Sequence, residues 1–278
     1  MVYEKLKKIA KRFLGRNDVS NSILWSGDFD TWENAEKECS GYDGENIINK
    51  VSEALIKVKN GEAEYERDAH LFYTLEYNWS LVALIQKAYL ETNKELLIVD
   101  FGGSLGSSYF QNRKMLANVP YKWIVIEQPH YTEKGKALFE DECLHFVNDF
   151  QEIQDKIDII LFSSVLQYVN KPTFYILQAI KKEPSFIYIE RTGFIEAEKE
   201  LITVQKIPAY IYEATYASCF FVERDFLSNF QSQFEVIADL DSTIDTDIHS
   251  EKGVRLYWKG FILKKLVINK NCNSNEAS

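Results

Sequence analysis

Along the middle of the chain the apolar residues fall in short, mostly unbroken runs, and each run stops at polar residues. The runs at 96–99, 123–126, 144–147, 157–162 and 186–189 end at Asp100, at Glu127, at Asn148 and Asp149, at Ser163 and Ser164, and at Glu190 and Arg191. Runs of this length predict strands buried on both faces of a parallel sheet, joined through helices by right-handed crossovers. Ligands of such sheets bind beyond the carboxyl ends of the strands, which is where these polar residues gather. Two later segments, 234–238 and 255–263, also read as strands and have only a polar loop, 239–254, between them, so they predict an antiparallel pair closing the sheet.

The first two strands are joined by Gly102, Gly103, Ser104, Leu105 and Gly106. Three glycines in five positions let the backbone turn tightly and approach a ligand with no Cβ in the way. Residues 107–117 read as a helix whose free N–H groups would face that turn. Glu127 lies 21 residues after Gly106, close to the roughly 20 at which the dinucleotide fingerprint places an acid on ribose hydroxyls. An acid at a strand end can equally be a helix cap or a turn residue.

The N-terminal third reads as helical. In residues 1–16, Lys5, Lys7, Lys8, Lys11, Arg12 and Arg16 surround Leu6, Ile9, Phe13 and Leu14, which predicts a basic amphipathic helix. We expect it to pack on the domain; weak contact with an anionic membrane surface is the alternative. Loop signals follow, then a periodic helix carrying Ile47, Ile48, Val51, Leu55 and Val58, and a helical stretch over 66–90. The expected organisation is an N-terminal helical cap (1–92), an α/β domain with a mostly parallel Rossmann-like sheet (93–266), and a polar, frayed tail (267–278).

Composition narrows the function classes. A hydrophobic fraction of 46% supplies ample core, and no apolar run approaches the roughly 20 residues needed to cross a bilayer, so a folded cytoplasmic protein is expected. A net charge of −10 opposes binding to a phosphate backbone, which argues against a nucleic-acid partner. Cys39, Cys143, Cys219 and Cys272 are scattered without a paired motif, as expected of reduced thiols rather than metal ligands.

The strings DFGGSLGSSYFQNR (100–113), WIVIEQPHYTEKG (123–135), SSVLQYV (163–169), IERTGF (189–194) and VQKIPAYIYEATY (204–216), with GYDGENI (41–47) and YERD (65–68), resemble a family of methyltransferases often met in bacterial surface-polysaccharide gene clusters. The resemblance implies S-adenosyl-L-methionine as cofactor and a small-molecule or glycan acceptor; a parallel sheet ended by an antiparallel hairpin is what such a Rossmann-like methyltransferase would have. It implies a cofactor turn in which Asp100, Gly102, Gly103 and Gly106 match and Ser104 stands where the pattern has its middle glycine. Glu127 would hold the ribose, Asn148 and Asp149 the adenine, and Ser163 and Ser164 the methyl-donor side. Tyr168, Gln205, Tyr212 and Tyr216 would form the acceptor wall, with an insertion after the fifth strand folding over the cleft. Candidates for the catalytic base or for orienting the acceptor are His130, Glu190 and Arg191, although an exposed Glu190–Arg191 ion pair is the plainer reading of the last two. Two other functions share much of the pattern: a nicotinamide-dependent dehydrogenase or epimerase, and a non-catalytic methyltransferase-like partner in glycan assembly.

Overall fold

A computed structural model of the chain describes residues 24–40, 45–207 and 214–267. The predicted helix over 1–16, the tail beyond 267 and Tyr212 therefore lie outside the described residues. In chain order the elements are β1 (Leu24–Phe29), α1 (Trp32–Glu36), α2 (Glu45–Lys59), β2 (Tyr65–Arg67), β3 (His70–Phe72), α3 (Trp79–Thr92), β4 (Leu96–Phe101), α4 (Ser107–Asn112), β5 (Tyr121–Ile126), α5 (Pro129–Leu138), β6 (Leu144–Val147) and β7 (Ile159–Ser163). They continue with α6 (Pro172–Lys181), β8 (Phe186–Ile195), β9 (Leu201–Ile207), β10 (Ala214–Phe220), α7 (Glu223–Ser228), β11 (Phe234–Asp241), β12 (Ile248–His249) and β13 (Arg255–Lys265).

The main sheet runs β11-β13-β8-β7-β4-β5-β6, with β12 added on β13. Strands β6, β5, β4, β7 and β8 are parallel neighbours, while β13 is antiparallel to both β8 and β11. This is the expected Rossmann-like sheet with an antiparallel hairpin, and it departs from the all-parallel 3-2-1-4-5-6 order of dinucleotide-binding domains. Alternation along each strand serves both faces. Ile98, Trp123, Leu161 and Tyr188 pack in one cluster with α2 to α5, and Val99, Ile124, Phe162 and Ile189 pack in another with α6 and α7.

Register places the strand ends in one row. Phe101 pairs with both Ile126 and Phe162, Ile126 with Val147, and Ser163 with Glu190. The residues that follow or end these strands, Gly102, Glu127, Asn148, Ser163 and Glu190, consequently emerge side by side on the same edge.

Residues 24–92 differ from the expected helical cap. The helices α2 and α3 belong to the sheet's own core cluster, and β1 joins β9 and β10 in a separate three-stranded antiparallel sheet. The helical reading of 66–90 holds only from Trp79. Before it, β2 and β3 form a hairpin around Asp68 and Ala69, both at positive φ (51° and 63°), and the Glu66 carboxylate accepts the Ala69 N–H. The helix starts where the Asn78 side chain caps it by accepting the Leu81 N–H. Helix α4 is also shorter than the predicted 107–117, ending at Asn112 before a run of turns.

Candidate functional site

A cavity of about 1090 Å³ opens above the row of strand ends. Its volume is at the upper end of the range for small-molecule sites, enough for a cofactor and a second molecule.

The glycine turn forms its floor. Gly102 has φ +71°, and a Cβ there would overlap Val165. At Gly103 a Cβ would lie 2.6 Å from the Asp100 carboxyl carbon, so the turn closes directly over that acid. Ser104 adopts φ 54°, the left-handed conformation a glycine would take without strain. The substitution is therefore accommodated by the backbone the pattern requires.

Three carboxyl groups border this floor. Asp100 is 1% exposed, and neither of its oxygens makes a well-formed hydrogen bond among the described residues. Burial, with the charges of Glu190 and Glu127 adding to it, lifts its pKa to about 7. Glu127 accepts the Ser104 N–H at 3.1 Å and the Gln128 N–H at 2.9 Å, and burial raises it to about 7 as well. Its two oxygens offer about four lone-pair sites, so acceptor capacity remains after these two bonds. Glu66, unassigned by the sequence reading, accepts from the Ser107 hydroxyl and from Ala69, and burial takes it to about 7 too.

The next stretch of wall is a hydrogen-bonded group centred on Glu190. Its Oε1 accepts from Ser163 Oγ at 2.6 Å, and its Oε2 accepts from Asn78 Nδ2 at 2.6 Å and from the Tyr188 hydroxyl at 2.8 Å. Tyr188 also lies 2.7 Å from Ser80 Oγ, and burial beside Glu190 pushes its phenol far up. Ser164, at φ 52°, lines the cavity beside Ser163.

Arg191 is not the ion-pair partner of Glu190. Its guanidinium binds Asp245 in a fork, Nε to Oδ2 at 2.9 Å and Nη2 to Oδ1 at 3.2 Å, while Ser242 Oγ donates to the same Oδ2. Successive strand residues point to opposite sides, and Arg191, at φ 51°, turns toward the β11–β12 loop instead. That loop, from Ser242 to Asp245, lines the cavity.

The remaining wall comes from the small sheet. Trp25 of β1, Gln205 of β9 and Tyr216 of β10 are cross-strand neighbours in one register row, and all three line the cavity. Tyr168 meets the Tyr216 ring edge-on at 5.5 Å, and burial raises its phenol to about 12. Gln205 is 4% exposed and its Oε1 has no hydrogen-bond partner among the described residues. Of the insertion expected over the cleft, Gln205 and Tyr216 sit on strands of this sheet, while residues 208–213 lie outside the described residues.

Two predicted site residues fall elsewhere. Asp149 is exposed, does not line the cavity, and caps a short 3-10 turn by accepting the Gln151 N–H; Asn148 alone reaches the lining. His130 is the second residue of α5, its ring 4.9 Å from that of Tyr131, and it is absent from the lining while its neighbours Gln128 and Pro129 belong to it. The sequence reading missed Glu66, Asn78, Asp245 and Trp25. Only the YERD string and the Asn-Trp-Ser-Leu start of α3, a helix-cap pattern, hinted at the first two. Among the described residues no group of three or more His, Cys, Asp or Glu side chains could hold a metal ion, and no helix is long and apolar enough to cross a membrane.

The sequence matches no family profile and no curated protein. Solved structures do match in outline. The N-terminal domain of EvdMO1 with S-adenosylhomocysteine bound has 12% identity, with 80% of this chain and 96% of that one covered and a TM-score of 0.46. An S-adenosylmethionine-dependent methyltransferase from Clostridium acetobutylicum has 9% identity, coverage of 78% and 98%, and a TM-score of 0.45. CalS10, an amino pentose methyltransferase from Micromonospora echinaspora, has 9% identity, coverage of 69% and 92%, and a TM-score of 0.42. Overlaps of this size leave the chemistry to be read from the cavity itself.

Proposed function

We propose that the chain is an S-adenosylmethionine-dependent methyltransferase acting on a small-molecule or glycan acceptor of surface-polysaccharide biosynthesis. One observation carries the reading: Asp100, the glycine turn, Glu127 and Asn148 border a single cavity, with the buried Asp100 carboxyl group in no well-formed hydrogen bond among the described residues, beneath a turn that tolerates no Cβ at Gly102 or Gly103. The donor set fits an adenosine-bearing cation. Glu127 has lone pairs left for ribose hydroxyls, Asn148 lies on the adenine side, and the backbone of 102–104 leaves room for the amino-acid end. The sheet order supports the same reading over a nicotinamide enzyme, because β13 runs antiparallel between β8 and β11.

When bound, the cofactor supplies a methyl group already activated by its sulfonium. The protein's work is then alignment and exclusion of water. Gln205 Oε1 is free to accept a hydrogen bond from the acceptor, and Trp25, Tyr168 and Tyr216 offer ring faces and edges to an acceptor's apolar side. Arg191 borders the methyl-donor side with its fork fixed by Asp245, so it orients groups near it without moving a proton.

Titration calorimetry with S-adenosylhomocysteine is the test. We expect micromolar binding, about 8 kcal/mol, weakened roughly tenfold or more in Asp100→Asn and in Glu127→Ala. A wild-type protein that evolves no heat with this ligand but responds to NADH would overturn the reading.

A further inference from the structure

The cavity carries charge of essentially one sign. Its charged lining consists of nine acidic and two basic residues, and one of the two, Arg191, is already paired with Asp245. Acidic residues in number do not make a ligand site; what marks this one is that Asp100, 1% exposed, lines the cavity with neither oxygen in a well-formed hydrogen bond among the described residues, Trp123 and Ser108 being only loosely placed donors. A buried carboxylate held so loosely gains from a cation or a better-placed donor.

Glu190 stands close enough to Asp100 for its charge to be felt there. It is also unlike a general base. Ser163, Asn78 and Tyr188 all donate to it, and both oxygens are engaged. Asn78 is in turn fixed as the cap of α3, and Tyr188 is held by Ser80, so the donors themselves are constrained. The arrangement builds a stationary negative charge at the end of β8, in a site where the low dielectric strengthens its reach.

We infer that Glu190 is a charge-selecting residue which, together with Asp100, makes the site prefer the sulfonium form of the cofactor to the neutral thioether left after transfer. The inference rests on the methyltransferase reading and deepens it. Loss of the methyl group removes the positive charge that these carboxylates hold, so the spent cofactor is held less tightly than the fresh one. No proton needs to reach Glu190 in this role.

The test compares three ligands by calorimetry near neutral pH and at fixed ionic strength: S-adenosylmethionine, sinefungin, which carries an ammonium and no transferable methyl group, and S-adenosylhomocysteine. In the wild type both cationic ligands are expected to bind roughly tenfold or more tightly than the thioether. In Glu190→Gln that preference should fall to within about threefold while affinity for S-adenosylhomocysteine changes by less than about twofold. A merely structural role would weaken all three ligands together. Ser163→Ala removes one donor but keeps the charge, and should retain the preference. Equal wild-type affinity for the three ligands, or a preference unchanged in Glu190→Gln, overturns the inference and leaves the methyltransferase reading standing; binding of none overturns both.

Discussion

Glu66, Asp100 and Glu127 are ordinary carboxyl groups made unusual by where the chain puts them, and burial is the first cause in each of the three that lifts the pKa to about 7. In the unfolded chain the same groups titrate at about 4. Between those values the folded protein retains protons that the unfolded chain has released, so its stability is greatest at the acid end and is lost as pH rises through about 7. The exposed acids Asp28 and Glu91 are shifted the other way, downward, by Lys252 and Lys87, and they matter only below about 4. The melting temperature of the unliganded protein is therefore expected to fall from about pH 5 to about pH 7 and to level off toward pH 8, with a shallower slope in Asp100→Asn. Differential scanning calorimetry across that range checks it; a melting temperature that climbs toward pH 8 would mean these groups are ionised and partnered in the folded protein.

At the scale of elements, what was legible in the sequence is what local pattern controls. The runs that became β4, β7 and β8 need only their own apolar residues to declare themselves, and the acids and serines at their ends declare the ligand edge. The β2–β3 hairpin was illegible because its turn is Asp68-Ala69, without the glycine or asparagine that usually marks two positive φ values, and because Leu71, Phe72 and Leu75 mimic a helical stripe. Strand β1 pairs with β9 more than 170 residues away, a partnership no local periodicity encodes. The same holds for Asp245, which meets Arg191 from 54 positions along the chain. That pair fastens the β11–β12 loop against the end of β8, with side-chain exposures of 19% and 21%. Asp245→Ala would strand the Arg191 guanidinium in a mostly buried place, at a cost of about 2–4 kcal/mol. Urea unfolding measures this directly, and a variant within about 0.5 kcal/mol of wild type would show that the loop is held by something else.

At the scale of the whole molecule, the cavity has no single owner. Its floor is the β4–α4 turn, one side is the β2–β3 hairpin with the start of α3, the far wall is the small sheet, and the cover is the β11–β12 loop. These pieces touch one another through polar bonds across the opening: Glu66 to Ser107, Asn78 to Glu190, Arg191 to Asp245. Each bond on its own is a modest restraint, and in the unliganded protein each segment can open locally at less than the global free energy. A ligand that contacts the floor, the acids and the cover at once must suppress all those openings together. With S-adenosylhomocysteine at about a hundred times its dissociation constant the gain is about 2.7 kcal/mol, and it should appear as slowed amide exchange in 66–69, 78–81, 104–108 and 240–245 in the same titration. Exchange measured by mass spectrometry separates the alternatives: protection confined to the glycine turn and the neighbourhood of Glu127 would mean that the hairpin and the loop border the cavity without closing on what it holds.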